Sequence, residues 1–237
     1  MKIHLWLHWL VLVIGTIEQF TTEAYHHISD NIHIKPAIMS KIDLTKVYKA
    51  LYTAKSTPML INVPPGHYIA INGKGDPNKE KFAESTQALY TAAYGIKGIY
   101  KQSAQDFVVS KLEGLWWVTA EGDPLKVPKE EWYWQLLIRM PDYVTNSVVQ
   151  QALQQTFTKK QLPLLKEISL ISLAEGKSVQ IMHIGPFATE PATLRLMEEF
   201  MEAGGLKWNG RHHEIYLSDP RKTAPDKMKT ILRQPVK

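Results

Sequence analysis

The chain of 237 residues contains no cysteine. That absence excludes disulfide staples, thiolate zinc sites and cysteine nucleophiles, and it fits a reducing compartment. It also lacks a hydrophobic run long enough to span a bilayer, which takes ~20 residues. The apolar stretch at residues 3–17, IHLWLHWLVLVIGTI, is shorter and is interrupted by His4 and His8. No helix-turn-helix pattern, zinc finger or aromatic RNA-binding motif is present. Gly73-Lys74-Gly75 lacks the full glycine-lysine-serine/threonine pattern of a phosphate loop, so a turn is its expected use. Charge of one sign is not in large excess. The 28 basic and 23 acidic residues leave +5, with basic residues gathering towards the C-terminus. An excess this small reads as a solvated surface, so a nucleic-acid partner is not expected; an interaction protein acting through that basic end is the minor alternative.

Residues 1–38 are a different material from the rest. Lys2 followed by the apolar stretch has the look of a signal-peptide core or short anchor, yet Glu18, Gln19 and Phe20 follow in place of a small-residue cleavage pattern. The histidine-rich continuation to Pro36 has no helical or strand period. The favoured expectation is a start at Met39, with residues 1–38 lying outside the fold. A genuine membrane-contacting or exporting leader is the alternative. Localisation is accordingly expected to be cytoplasmic unless that leader is real.

From residue 39 onwards, one pattern is written twice, about 59–140 and about 168–236. Each copy reads strand, turn, helix, strand, strand. In the first copy these are Met59–Val63 and His67–Asn72, a helix over 79–100, and strands within 106–118 and 132–139. In the second they are 168–174, 178–184, a helix over 190–203, 213–217 and 228–233. A linking helix spans Thr145 to about Lys160. Thr189 is the expected N-cap and Gly204-Gly205 the stop of the helix at 190–203. The fold class that follows is α+β, with two pseudo-symmetric β-α-β-β units and a ligand cleft between them. Because one helix covers one face of each small sheet, the expectation places the cleft on the face away from the helices.

Strand parity selects the candidate residues. Glu113, Leu115 and Trp117 point one way on their strand; Glu214 and Tyr216 point together on theirs. Each half thus carries a carboxylate and an aromatic ring at what reads as a matching position. Extending the more polar face to the neighbouring strands adds Tyr68, Tyr133 and Gln180. The expected ligand-binding set is Tyr68, Glu113, Trp117, Tyr133, Gln180 and Tyr216, with Glu214 as the catalytic candidate. Rings stack on a flat aromatic or cationic guest, and a carboxylate desolvated among them becomes a usable general base or acid.

Blander readings compete at several positions. Of Trp116, Trp117, Trp132 and Trp134, at least two are expected in the core. Glu190 and Glu198 read as capping, solvent-facing residues, and His183 as a buried, hydrogen-bonded histidine. His212 and His213 face opposite ways on one strand, so neither a metal nor another cofactor is expected.

Five strings occur in order: VPPGHYIAINGKGDP (Val63–Pro77), LEGLWW (Leu112–Trp117), QIMHIGPF (Gln180–Phe187), HHEIYLSDP (His212–Pro220) and KMKTILRQPV (Lys227–Val236). From about Ser40 to the end, the chain resembles stand-alone GyrI-like proteins. The resemblance implies a tandem strand-helix-strand-strand fold with a cleft between the repeats and a pocket glutamate at Glu214. Relatives of that fold include multidrug-binding halves of transcription regulators, where a glutamate and aromatics hold lipophilic cations. Some stand-alone members are described as hydrolases that open the cyclopropane ring of DNA-alkylating compounds. Phe187 stands where tyrosine is expected. Two functions remain open: hydrolysis of a strained electrophile by Glu214-activated water, in a detoxification or resistance role, and non-catalytic sensing or sequestration of a small organic ligand. Oligomeric state and ligand identity are not specified at this level.

Overall fold

The computed structural model describes residues 41–237 except 121 and 123. The readings for residues 1–38, including the apolar stretch and the start at Met39, lie outside the described residues. Eight strands form one antiparallel sheet: β1 (Met59–Val63), β2 (Gly66–Lys74), β3 (Leu112–Trp117), β4 (Tyr133–Met140), β5 (Ser169–Leu173), β6 (Gly176–Ile184), β7 (His212–Tyr216) and β8 (Lys229–Pro235). The helices are α1 (Leu44–Val47), α2 (Glu80–Gln102), α3 (Asn146–Lys160) and α4 (Glu190–Ala203).

The strand order is β1-β6-β8-β7-β3-β4-β2-β5. Each half therefore contributes three contiguous strands, and its first strand crosses to the far edge of the other half: β1 pairs with β6, and β5 with β2. The halves meet where β3 pairs with β7, Gly114 standing opposite Glu214. The fold is α+β with two pseudo-symmetric β-α-β-β units, and the exchanged edge strands tie the halves into one sheet.

Local chemistry explains the elements. In α2, Ser85, Ala88, Leu89, Ala92, Ala93, Ile96 and Tyr100 recur at three- and four-residue spacings and form the buried stripe. They pack on Ile69, Ile71, Trp134, Leu136 and Ile138 of β2 and β4. In α4, Met197 and Met201 meet Val179, Ile181 and Leu232 of β6 and β8. Thr145 caps α3, its hydroxyl accepting from the Val148 amide at 3.5 Å. Thr189 does not cap α4: its hydroxyl is bonded instead to the Pro186 carbonyl at 2.8 Å. Gly205, at φ 62°, supplies the left-handed turn that ends α4. The strand expected within 106–118 begins only at Leu112; upstream, Ile42 bridges Phe107.

The two helices lie on the same side of the sheet, α2 over β2 and β4, α4 over β6. The central strands β3 and β7 have no helix above them, so the open cleft sits on the helix side. This corrects the expectation of a hollow on the opposite face. That opposite face is filled by the chain's own segment, with Leu51 and Tyr52 packing on Val63, Ile215 and Ile231. Farther along it, Tyr68, Ala70, Leu115 and Leu137 form another buried group. Among the described residues no helix is long and apolar enough to cross a membrane.

Candidate functional site

Alternation along β7 turns His212, Glu214 and Tyr216 towards the cleft and sends His213 and Ile215 through to the far side. On β3 the cleft side carries Leu112, Gly114 and Trp116. The cleft is floored by these two strands and walled by Phe82, Thr86 and Tyr90 of α2 and by Glu190, Leu194 and Met197 of α4; it belongs to a continuous hollow of about 2220 Å³ that extends along α2 to Thr156 and Lys160 of α3.

Rings line its floor and rim. Phe82 stacks on Trp116 at 5.8 Å between ring centres, and Trp132 meets Trp116 edge-on at 6.0 Å. The Trp116 indole N–H donates to the Tyr216 hydroxyl at 3.0 Å. Phe187 lies edge-on to Tyr216 at 5.9 Å and is half exposed, so it forms part of the rim.

Two carboxyls share this apolar hollow. Burial raises the Glu214 pKa; the Tyr216 hydroxyl, hydrogen-bonding to the carboxylate, and the charge of His213 pull it back only in part. Glu190, in the first turn of α4, is raised by burial and then by repulsion from Glu214. One of its carboxyl oxygens has no hydrogen-bond partner. Both shifts run towards the protonated form, as desolvation and mutual repulsion require. His212 lies 3.8 Å from Glu214, and burial followed by the charge of His213 lowers its pKa to about 4, keeping the imidazole neutral. Two carboxyls biased towards protonation and an imidazole biased towards neutrality thus converge within a ring-walled cleft.

Of the residues expected here, the structure brings Glu214, Tyr216 and Trp117 to the cleft. Trp117 stands at the outer end, between Arg211, 3.6 Å above its ring, and the stacked ring of Tyr133 at 5.7 Å. Tyr133 itself does not line the cleft. Tyr68, Glu113 and Gln180 are corrected outright: all three are buried on the opposite face. The reason is register. Gly114, not Glu113, pairs with Glu214, so the two glutamates fall on opposite sides of the sheet. Gln180 instead donates to the Ala50 and Thr53 carbonyls at 3.0 Å, and the Tyr68 hydroxyl accepts from Arg139 at 3.4 Å.

Glu190 was read as solvent-facing and is buried. Its position three residues after Pro186-Phe187 carried no apolar signal that could have revealed this. The core expectation holds for Trp134 and Trp116, both buried. His183 is buried with its Nδ1 2.8 Å from the Thr193 hydroxyl, as expected. Among the described residues no group of three or more His, Asp or Glu is placed to hold a metal ion.

Fold and cleft together define a small-molecule-binding domain built from two β-α-β-β repeats. Residues 56–237 match the GyrI-like small molecule binding domain, and the chain belongs to that family. An uncharacterized conserved protein from Listeria innocua shares 41% identity, with a TM-score of 0.78, over 83% of this chain and 100% of its own. A hydrolase from Listeria innocua shares 40% identity, with a TM-score of 0.74, over 83% and 100%. The EcmrR C-terminal domain, at 11% identity and a TM-score of 0.51 over 76% and 97%, has the same fold. No curated protein matches the chain.

Proposed function

We propose that the cleft binds a flat organic molecule, aromatic or cationic, and hydrolyses those guests that carry a strained electrophilic carbon, in a cytoplasmic detoxification role. One observation carries the reading: Glu214 shares a ring-walled hollow with a second carboxyl, Glu190, whose burial favours its protonated form. In the reaction, Glu214 as carboxylate takes a proton from water while the hydroxyl oxygen bonds to the electrophilic carbon. The strained carbon–carbon bond breaks, its electron pair moves onto a conjugated oxygen of the substrate, and Glu190 supplies that oxygen with its proton. The two carboxyls then exchange the proton and the pair is reset. General acid–base help of this kind is worth ~10²–10⁴ in rate. Tyr216 and Trp116 are the floor rings against the guest, and Trp117 flanks it at the outer end with its faces held by Arg211 and Tyr133. The 40% identical hydrolase from Listeria innocua supports the hydrolytic half of the proposal.

The test is incubation of the full chain with a cyclopropane-bearing alkylating compound, followed by mass spectrometry for the water adduct. Adduct formation that falls at least a hundredfold in Glu214→Gln is the expected result. Equal turnover by both proteins overturns the role of Glu214. Stoichiometric capture without any adduct replaces hydrolysis by sequestration or sensing.

A further inference from the structure

Beneath the cleft, on the far side of β7, lies a polar cluster that the proposed chemistry does not use. His213 is fully buried, its Nδ1 hydrogen-bonded to Glu175 at 2.9 Å and its Nε2 in ion-pair contact with Glu113 at 3.1 Å, off the line of a hydrogen bond. A neutral imidazole has one N–H and one lone pair, so it would turn that lone pair against one of the two carboxylates. Only the imidazolium, with two N–H donors, suits both. The carboxylates are in turn held. Glu113 accepts from the Tyr52 hydroxyl at 2.8 Å, and that hydroxyl accepts from Ser110 at 3.1 Å. Glu175 pairs with Arg233 at 3.2 Å, and Arg233 also donates to Gln180 and, at 2.7 Å, to the Leu51 carbonyl. Arg139 of β4 is buried on the same face against Tyr48 and Tyr68.

We propose that His213 is a positioning residue for the cleft: clamped between Glu113 and Glu175, it holds a positive charge one residue from both His212 and Glu214 and sets the protonation state those two present to a ligand. Glu113 and Glu175 face His213 and Arg233, and the Arg139 guanidinium lies farther along the same face. A neutral His213 would remove the positive charge that acts on Glu214 through the sheet. The imidazolium therefore favours the Glu214 carboxylate and disfavours a second positive charge on His212. On the cleft side, the titratable groups facing Glu214 are Glu190, His212 and Tyr216, and none of them is a fixed cation. The balancing charge comes through the sheet. The clamp also links the site to the segment before β1, because Tyr52 and Leu51 complete the same network.

This inference rests on Glu214 being the working carboxylate of the cleft, and the experiment separates the two. Binding of rhodamine 6G, an aromatic cation of constant charge, is measured by fluorescence from pH 5 to 9 for the full chain, Glu214→Gln and His213→Gln. Wild type binds more tightly as Glu214 ionises, and Glu214→Gln removes that transition, leaving only the more alkaline one of Glu190. In His213→Gln the midpoint moves upward by roughly half a unit or more. A merely structural role would weaken binding evenly across the range and leave the midpoint in place, which overturns the proposal. A transition that survives in Glu214→Gln at the wild-type midpoint sinks the reading of Glu214 instead. Should His213→Gln fail to fold, nitrogen-15 spectra of histidine in the unaltered protein decide: both His213 ring nitrogens are expected to be protonated at pH 7, and a neutral ring refutes the clamp.

Discussion

A Cβ on Gly114 would stand 2.9 Å from the Tyr216 hydroxyl and 3.0 Å from the Trp116 indole nitrogen. Those two atoms are hydrogen-bonded to each other, and the bare glycine lets them close over the cleft floor. Gly114→Ala is expected to push them apart. The affinity for an aromatic cation falls about tenfold, equivalent to ~1.4 kcal/mol, while overpacking costs ~1–3 kcal/mol of stability. Fluorescence titration and thermal melting read the two effects separately.

A second tight contact tests the core under α2. A Cβ on Gly73 would meet the Trp134 ring at 2.0 Å, and Trp134 is almost wholly buried with its N–H given to the Gly75 carbonyl. Gly73→Ala must displace the indole, with an expected loss of ~1–3 kcal/mol or more. Urea denaturation with an unchanged m-value is the check.

Arg233→Met removes the cation that balances Glu175 in the buried cluster. Glu175 is left against His213 alone, and the Leu51 carbonyl loses its donor. Breaking a buried pair in this way costs ~3–5 kcal/mol, measured by equilibrium unfolding. Arg233→Lys is expected to recover only part of it, since one ammonium cannot reach Glu175, Gln180 and the Leu51 carbonyl together.

Stability should fall on both sides of neutrality, for different groups. For Glu175, burial works against ionisation, but His213 and Arg233 outweigh it and hold the pKa at about 2. A depressed carboxyl stabilises the fold above its unfolded value, and that stability is lost as pH drops from about 4.5 towards 2. For His213, burial is outweighed by Glu175 and Glu113, and the pKa is raised to about 9. Its contribution is complete below about 6.5 and disappears as pH rises through 9. Glu190, also raised, adds to the alkaline loss. Thermal midpoints from pH 2 to 10 are expected to show both slopes. Glu190→Gln should flatten the alkaline one while leaving the acid one unchanged.

The exchanged outer strands show how far a one-dimensional reading reaches. Both β1 and β5 are visible as short apolar runs bounded by Pro64-Pro65-Gly66 and by Gly176. Nothing in either run says that it pairs across the molecule with the other repeat. Such a pairing depends on which sheet edge lies within reach, and that exists only after the halves assemble. Glu214 and Tyr216 were legible as a cleft pair because they are two residues apart on one strand, where alternation alone decides their common side. Glu113 was not, because comparing faces between β3 and β7 requires the register of their pairing. Glu190 escaped for another reason: a glutamate in a first helical turn has the same local pattern whether solvent or another carboxyl stands before it.

The amino-acid order alone determined the elements, their repetition and the placement of Glu214 beside Tyr216, since these follow from periodicities of two and about 3.6 residues and from local turn chemistry; the family is carried by five ordered sequence strings. Tertiary structure decided which side of the sheet is open, that Glu190 and Glu214 line one cleft, and that Glu113, Glu175, His213 and Arg233 close into one cluster beneath it. Burial and charge proximity between distant segments are properties of the packed chain, and they set the protonation of the cleft.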